Sequence, residues 1–360
     1  MSEFKPGLEG VVAFETEIAE PDRDGGALRY RGVDIEDLVG RVPFEKVWGL
    51  LVDGVPEPGL EPAPRYRADD LTGEAPADLQ AVTAHLSGEW GLGKLIDISD
   101  GEARDDLARL SATMISVVAQ SARVADGMDT AVDPDLVASG STAATRFLLE
   151  WRGEADPKHV QAIDTYWICA AEHGLNASTF AARVVASTGA DCGAALSSAV
   201  GALSGPLHGG APARVLPMLD GAAATDSIED YVKELLDGGD RLMGFGHRVY
   251  RAEDPRSRLL RGTALDLGSP RFEVAEELER VALAELHARK PDRVLATNVE
   301  FWSAVVLDIA DVPPNLAPAM FVCSRTAGWS AHILEQKRLG RLIRPSALYV
   351  GPGPRPLQEA

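Results

Sequence analysis

Two of the seven histidines stand in settings unlike those of an ordinary core or surface histidine. His208 lies in SGPLHGGA and His247 in MGFGHRVYR. Adjacent glycines let backbone approach a ligand closely and permit positive φ. An imidazole held there can donate a hydrogen bond to a carbonyl oxygen. His208 also precedes a helix expected to start near Pro212, whose positive end disfavours imidazolium. A neutral, hydrogen-bond-donating His208 is therefore expected. His173, in AEHGLNAST, is a third histidine in unusual surroundings, whereas His85, His159, His287 and His332 read as structural.

Cations gather beside one of these histidines. Between Arg241 and Arg261 lie six arginines (Arg241, Arg248, Arg251, Arg256, Arg258 and Arg261) and His247, against Glu253 and Asp254. A charge run is commonly a solvated helix face, but GFGH and DP interrupt this one and suit a loop better. The whole chain carries 35 basic and 55 acidic residues, a net charge of −20. Such a surface repels nucleic acid and anionic membranes. It also repels an anionic substrate unless cations are concentrated locally, as they are here.

Other chemistries find less support. GPLHGGA lacks the Gly-Lys-Ser/Thr of a phosphate loop, Gly244-Phe-Gly246 lacks the third glycine of a dinucleotide fingerprint, and HExxH and GxSxG are absent. Two histidines with Glu300 could ligate a metal as a facial triad, a generic pattern. Cys169, Cys192 and Cys323 are widely spaced and odd in number, which points away from disulfides and towards a reducing cytoplasm. No apolar run approaches the ~18 residues of a membrane span. The acidic N-terminus lacks the basic and apolar regions of a secretory signal.

These residues must be positioned mainly by helices. Leu107, Leu110, Met114, Val117 and Val118 recur every three or four residues and predict one buried helix face. Ser227 is placed to cap a helix that Gly238-Gly239 ends. Ser269-Pro270 reads as the start of another, with Pro at its first position and Val274, Leu278 and Val281 on one face. Short strands are expected around Gly10–Ala13 and Ala27–Tyr30, and the Pro-rich 57–68 stretch as a surface loop. Gly and Pro punctuation separates a block ending near Asp220 from a second running from Gly221 to Arg325.

Seven segments then carry a resemblance in order: GALRYRGVDIEDL, EHGLNASTF, SGPLHGGA, GFGHRVYRAEDPR, TNVEFWSA, SRTAGWSAHILEQ and RLIRPSALYVGP. Together they resemble the citrate synthase family over nearly the whole chain. The resemblance implies an all-α, two-domain fold: a large helical domain, residues 1–220 completed by 326–360, and a smaller mobile helical domain, residues 221–325. It implies condensation of acetyl-CoA with oxaloacetate and hydrolysis of citryl-CoA, without a metal or redox cofactor, in a cytoplasmic homodimer. By the same resemblance His208 donates to the thioester oxygen and His247 polarises the ketone of oxaloacetate. His173, Arg256 and Arg325 bind oxaloacetate, Arg251 contacts CoA phosphate, and Arg344 completes the site of the partner subunit.

Position 300 departs from the pattern. The family reads NVDF, with aspartate as the base that removes a methyl proton; this chain reads Asn298-Val299-Glu300-Phe301. Glu300 keeps the carboxylate at the end of one more methylene, and Trp302 replaces a smaller aromatic. Two alternatives stay open beside citrate synthase: a 2-methylcitrate synthase using propionyl-CoA, and a weakly active or regulatory paralogue that retains substrate binding.

Overall fold

A computed structural model describes residues 4–8, 10–22, 24, 26–64, 66–209, 212–246, 253–292 and 295–355. Helix accounts for 58% of the structure and strand for 4%, which bears out the all-α reading. The three strands form one small antiparallel sheet: β1 (Ala19–Asp22), β2 (Ala27–Tyr30) and β3 (Val33–Asp34), with Ala19 opposite Tyr30 and Arg29 opposite Asp34. Residues 10–13, expected as a strand, are irregular and largely exposed; Val12 has no apolar surface to cover.

The helices follow as α1 (Phe44–Asp53), α2 (Ala75–Glu89), α3 (Asp100–Ala125), α4 (Pro134–Ala138), α5 (Ala143–Arg152), α6 (Pro157–Ala170), α7 (Ala177–Ser187), α8 (Cys192–Leu203) and α9 (Pro212–Ala223). After them come α10 (Ile228–Asp237), α11 (Pro255–Asp266), α12 (Phe272–Arg289), α13 (Val299–Ile309) and α14 (Ala317–Leu339). Local sequence explains their limits. Ser99 and Glu102 close a reciprocal capping box on α3, whose Leu107, Leu110, Met114, Val117 and Val118 are buried as their spacing predicts. Ser227 caps α10 and Gly238 ends it. Ser269-Pro270 does not open α12. Its first helical residue is Phe272, because Ser269 caps a preceding turn by accepting from the amide of Arg271.

One helix organises the core. α14 is buried on all sides from Val322 to Leu334 and packs against α1, α3, α6, α7 and α8. A helix enclosed all round is ordinarily apolar all round. This one also buries Ser324, Arg325, Thr326, Ser330 and His332. Burying a charge is costly unless it is paired or meets an ion, so these residues mark where a ligand is to be sought.

Candidate active site

The C-terminal end of α6, the 171–176 loop, the N-terminus of α7 and the 204–209 turn meet the buried middle of α14, and α11 and α13 pack against α6 and against each other. His208 lies in that turn, its amide donating to the carbonyl of Gly205 at 2.9 Å. Its Nε2 is 2.9 Å from Ser178 Oγ, at the start of α7. The same hydroxyl reaches Asn176 Oδ1 at 2.8 Å and accepts from Trp329 Nε1 of α14 at 3.2 Å. Its single proton serves either Asn176 Oδ1, with His208 Nε2–H donating to the hydroxyl, or the imidazole nitrogen itself. The edge of the His208 ring faces Phe321, 6.2 Å between centroids, and Phe321 in turn lies under the Arg325 guanidinium at 4.7 Å. Phe321 and Arg325 are one turn apart, which brings both onto one face of α14.

Burial, and then the charge of Arg325, lowers the pKa of His208 to about 4. The neutral state expected from the sequence therefore holds, with burial rather than a helix end as its leading cause. A stability consequence follows. Between pH 6.5 and about 4 an unfolded chain binds a proton that folded His208 refuses. Stability is therefore full above this window and falls as the pH drops through it. Removing the group in H208N flattens that slope. The parent's melting temperature minus the variant's should be more positive at pH 7 than at pH 5; an equal difference at both would count against a neutral, half-buried imidazole.

Arg325 is 2% exposed. Its Nε donates to the carbonyl of Ala170 at 2.6 Å, while its Nη1 is buried without a hydrogen-bond partner. Burial works against its charge, and Glu172 contributes most to restoring it. Arg256, at the start of α11, is held by both oxygens of Asp254, Nε at 2.9 Å and Nη2 at 2.8 Å. Asp254 also accepts from the amide of Val299 at 3.1 Å, so one carboxylate ties the arginine to the first turn of α13. Glu300 stands in that turn, where Asn298 caps the helix by accepting from its amide at 3.0 Å. Burial raises the pKa of Glu300, with the Arg256 charge opposing the shift. Tyr166, on α6, senses the charges of Arg325, Glu300 and Arg256. These groups therefore share one enclosed region.

The glycine-rich segment before His247 is stitched to the segment before Glu300. The amide of Gly246 donates to Ala296 O at 2.8 Å and that of Asn298 to Gly244 O at 2.9 Å. Gly244 has φ +87°, and a Cβ there would lie 2.6 Å from that of Phe301, so no side chain fits. His247 and Arg251 themselves, with Arg248, lie outside the described residues. His173, partly buried, follows directly on Glu172 in the loop between α6 and α7. Arg344 is exposed in the irregular segment after α14.

One expectation needs correction. The arginine run is not all loop, since Arg256, Arg258 and Arg261 lie in α11. These three described members are ion-paired. Arg258 pairs with Glu36 and Glu253, and Arg261 with Glu276. Among the described residues no group of three or more His, Cys, Asp or Glu is placed to hold a metal ion, and no helix is long and apolar enough to cross a membrane. Sequence reading also passed over Ser178 and Tyr166. Ser178 adjoins the Asn176 cap signal of EHGLNAST; nothing local marks Tyr166.

Residues 7–346 match the model of the citrate synthase C-terminal domain. A Mycobacterium tuberculosis protein named "Putative citrate synthase 2" is 62% identical over 354 residues, 98% of this chain and 94% of that one. The citrate synthase of Haloferax volcanii is 38% identical over 97% of this chain and 96% of its own. Among solved structures, the citrate synthase of Thermoplasma acidophilum in ternary complex with carboxymethyl coenzyme A and oxaloacetate aligns with a TM-score of 0.86 at 28% identity, covering 100% of this chain and 99% of that one.

Proposed function

Because the chain belongs to the citrate synthase family and is an acyltransferase of that type, we propose that its buried cluster condenses acetyl-CoA with oxaloacetate. The observation that carries this reading is the Arg325 guanidinium, buried with Nη1 unpartnered beside neutral His208, with a carboxyl of raised pKa at Glu300 next to the second arginine, Arg256. A planar fork of donors suits a carboxylate. Arg325, Arg256 and His173 hold the two carboxylates and the keto group of oxaloacetate. For Arg256 this requires sharing its donors with Asp254.

Glu300 takes a proton from the acetyl methyl group. The thioester oxygen gains negative charge as the enolate forms, and His208 donates to it. For that role Ser178 turns its proton from Asn176 Oδ1 to Nε2, and the imidazole proton sits on Nδ1. The enolate carbon attacks the ketone carbon of oxaloacetate, and the ketone oxygen, polarised by His247, takes that histidine's ring proton to become the hydroxyl of citryl-CoA. Water then cleaves the citryl thioester, releasing CoA and making the sequence irreversible. Neither a metal nor a redox group enters these steps.

The remaining assignments complete the reading: Arg251 on CoA phosphate, Arg344 reaching the site of a second copy in a homodimer, and residues 221–325 closing as a unit over the substrates in a cytoplasmic enzyme. The exposure of Arg344 on an irregular tail supports a role outside its own core.

A 2-methylcitrate synthase of Shewanella oneidensis is 33% identical over 97% of this chain, which keeps propionyl-CoA as a second acyl donor. One methylene in an acyl pocket is worth about 1–3 kcal/mol. Mass-spectrometric product analysis with each acyl-CoA and oxaloacetate tests both. Citrate formed with the higher kcat/KM is expected; 2-methylcitrate as the preferred product would transfer the reading to the second donor.

A further inference from the structure

The loop that carries His173 is gripped from behind. Tyr30 of β2 places its hydroxyl 3.0 Å from Ile168 O, 3.3 Å from Cys169 O and 3.2 Å from Glu172 O. Three residues of α14 take hold next. Arg325 donates to Ala170 O, Gly328 N donates to Ala171 O at 3.2 Å, and His332 approaches the Glu172 side chain. Glu172 is fully buried, and neither of its carboxylate oxygens has an aligned hydrogen-bond donor. His332 Nε2 lies 3.3 Å from Oε1, close enough to pair although off the ideal line. On the other side a Cβ at Gly328 would stand 2.0 Å from Oε2 and 2.7 Å from Ala171 O. The carboxylate therefore fills a slot that only glycine leaves open.

The tautomer of His332 follows from its second neighbour. Arg183, itself fully buried, places Nη1 2.9 Å from His332 Nδ1 and 2.5 Å from Glu335 Oε2. A guanidinium only donates, so Nδ1 accepts and the imidazole proton lies on Nε2, facing Glu172. A chain of groups thus runs from Glu335 through Arg183 and His332 to Glu172, and ends on the residue before His173. Across the loop, the same carboxylate is the main counter-charge of Arg325.

We propose that Glu172 and His332 are positioning residues of the dicarboxylate site: the buried carboxylate, oriented by an imidazole that Arg183 fixes, locks the His173 loop and provides the counter-charge that lets Arg325 stand in the core with Nη1 free. This rests on the reading of His173 and Arg325 as oxaloacetate ligands. Neither residue touches substrate, so the consequence is confined to one substrate. The anion entering beside Arg325 takes over part of the role Glu172 plays in the empty site.

Two amides separate the nitrogens of His332. In H332N the amide oxygen replaces Nδ1 and the donor towards Glu172 is lost; in H332Q the amide nitrogen replaces that donor. H332N should raise KM for oxaloacetate roughly ten- to hundredfold, the scale of a hydrogen bond to a charged group, with KM for acetyl-CoA changed less than about twofold, and H332Q should recover most of the loss. Equal effects of the two amides, or equal shifts for both substrates, would overturn the proposal. E172Q tests the counter-charge without relying on those variants. Its melting temperature should be lower than the parent's without ligand, and it should share the oxaloacetate-specific rise in KM; an unchanged KM for oxaloacetate in E172Q would also overturn the proposal. R325Q, measured alongside, separates the two levels: unchanged oxaloacetate affinity there sinks the ligand assignment itself.

Discussion

E300Q lowers kcat by about 100- to 10,000-fold, the range that a positioned general base supplies, while the KM for oxaloacetate stays close to that of the parent. The amide keeps the shape of the side chain and the Asn298 cap, which uses only the backbone of residue 300. What it removes is the ability to accept a proton. Burial has already raised the pKa of this carboxyl, so the acid limb of kcat in the parent should lie above the ordinary glutamate range. Activity is present above that pKa and lost as the pH falls through it. E300D is the informative partner. Its carboxylate sits one methylene nearer a backbone built for glutamate, and a displacement of about 1 Å can cost about 100-fold. Rates in E300D at or above the parent's would show that the longer side chain is a handicap rather than an adapted length. Trp302 favours adaptation, since it is fully buried against Phe272 and its indole donates to Glu279 at 3.0 Å, fixing α13 to α12.

The second large effect belongs to Arg325. R325Q should raise KM for oxaloacetate by about 100-fold or more, because truncating one partner of a buried charged pair costs roughly 2–5 kcal/mol. It should also destabilise the empty protein, leaving the buried Glu172 without the Arg325 cation that it offsets. Adding E172Q to R325Q should then return part of the lost stability, a coupling on the order of 1–3 kcal/mol in a double-mutant cycle. Strict additivity would mean that the two charges do not sense each other. Oxaloacetate affinity, by contrast, should not return in the double variant, since the donor fork is still missing.

Much of the scaffold was legible because it depends on local signals. The face of α3, the Ser227 cap and Gly238 stop of α10, and the strand at Ala27–Tyr30 follow from residues within a few positions of one another. The site was legible where a motif surrounds the residue, as for His208 between glycines. It was illegible where function depends on partners distant in sequence. Arg258 pairs with Glu36 across 222 residues, which neutralises that arginine on the helix surface. His332 read as a structural histidine because nothing nearby reveals that Arg183, 149 residues away, fixes its tautomer. The burial that keeps His208 neutral is likewise a property of the assembled fold: α14 and the start of α7 enclose the ring.

The central claim is that this enclosed cluster carries out the condensation with Glu300 as its base. Mixing the protein at high concentration with acetyl-CoA, with and without oxaloacetate, and following free CoA thiol with DTNB tests it most directly. Rapid release that requires oxaloacetate, and that E300Q abolishes, is the predicted result. Absence of release from a parent protein that binds both substrates, or equal release from parent and E300Q, would contradict it.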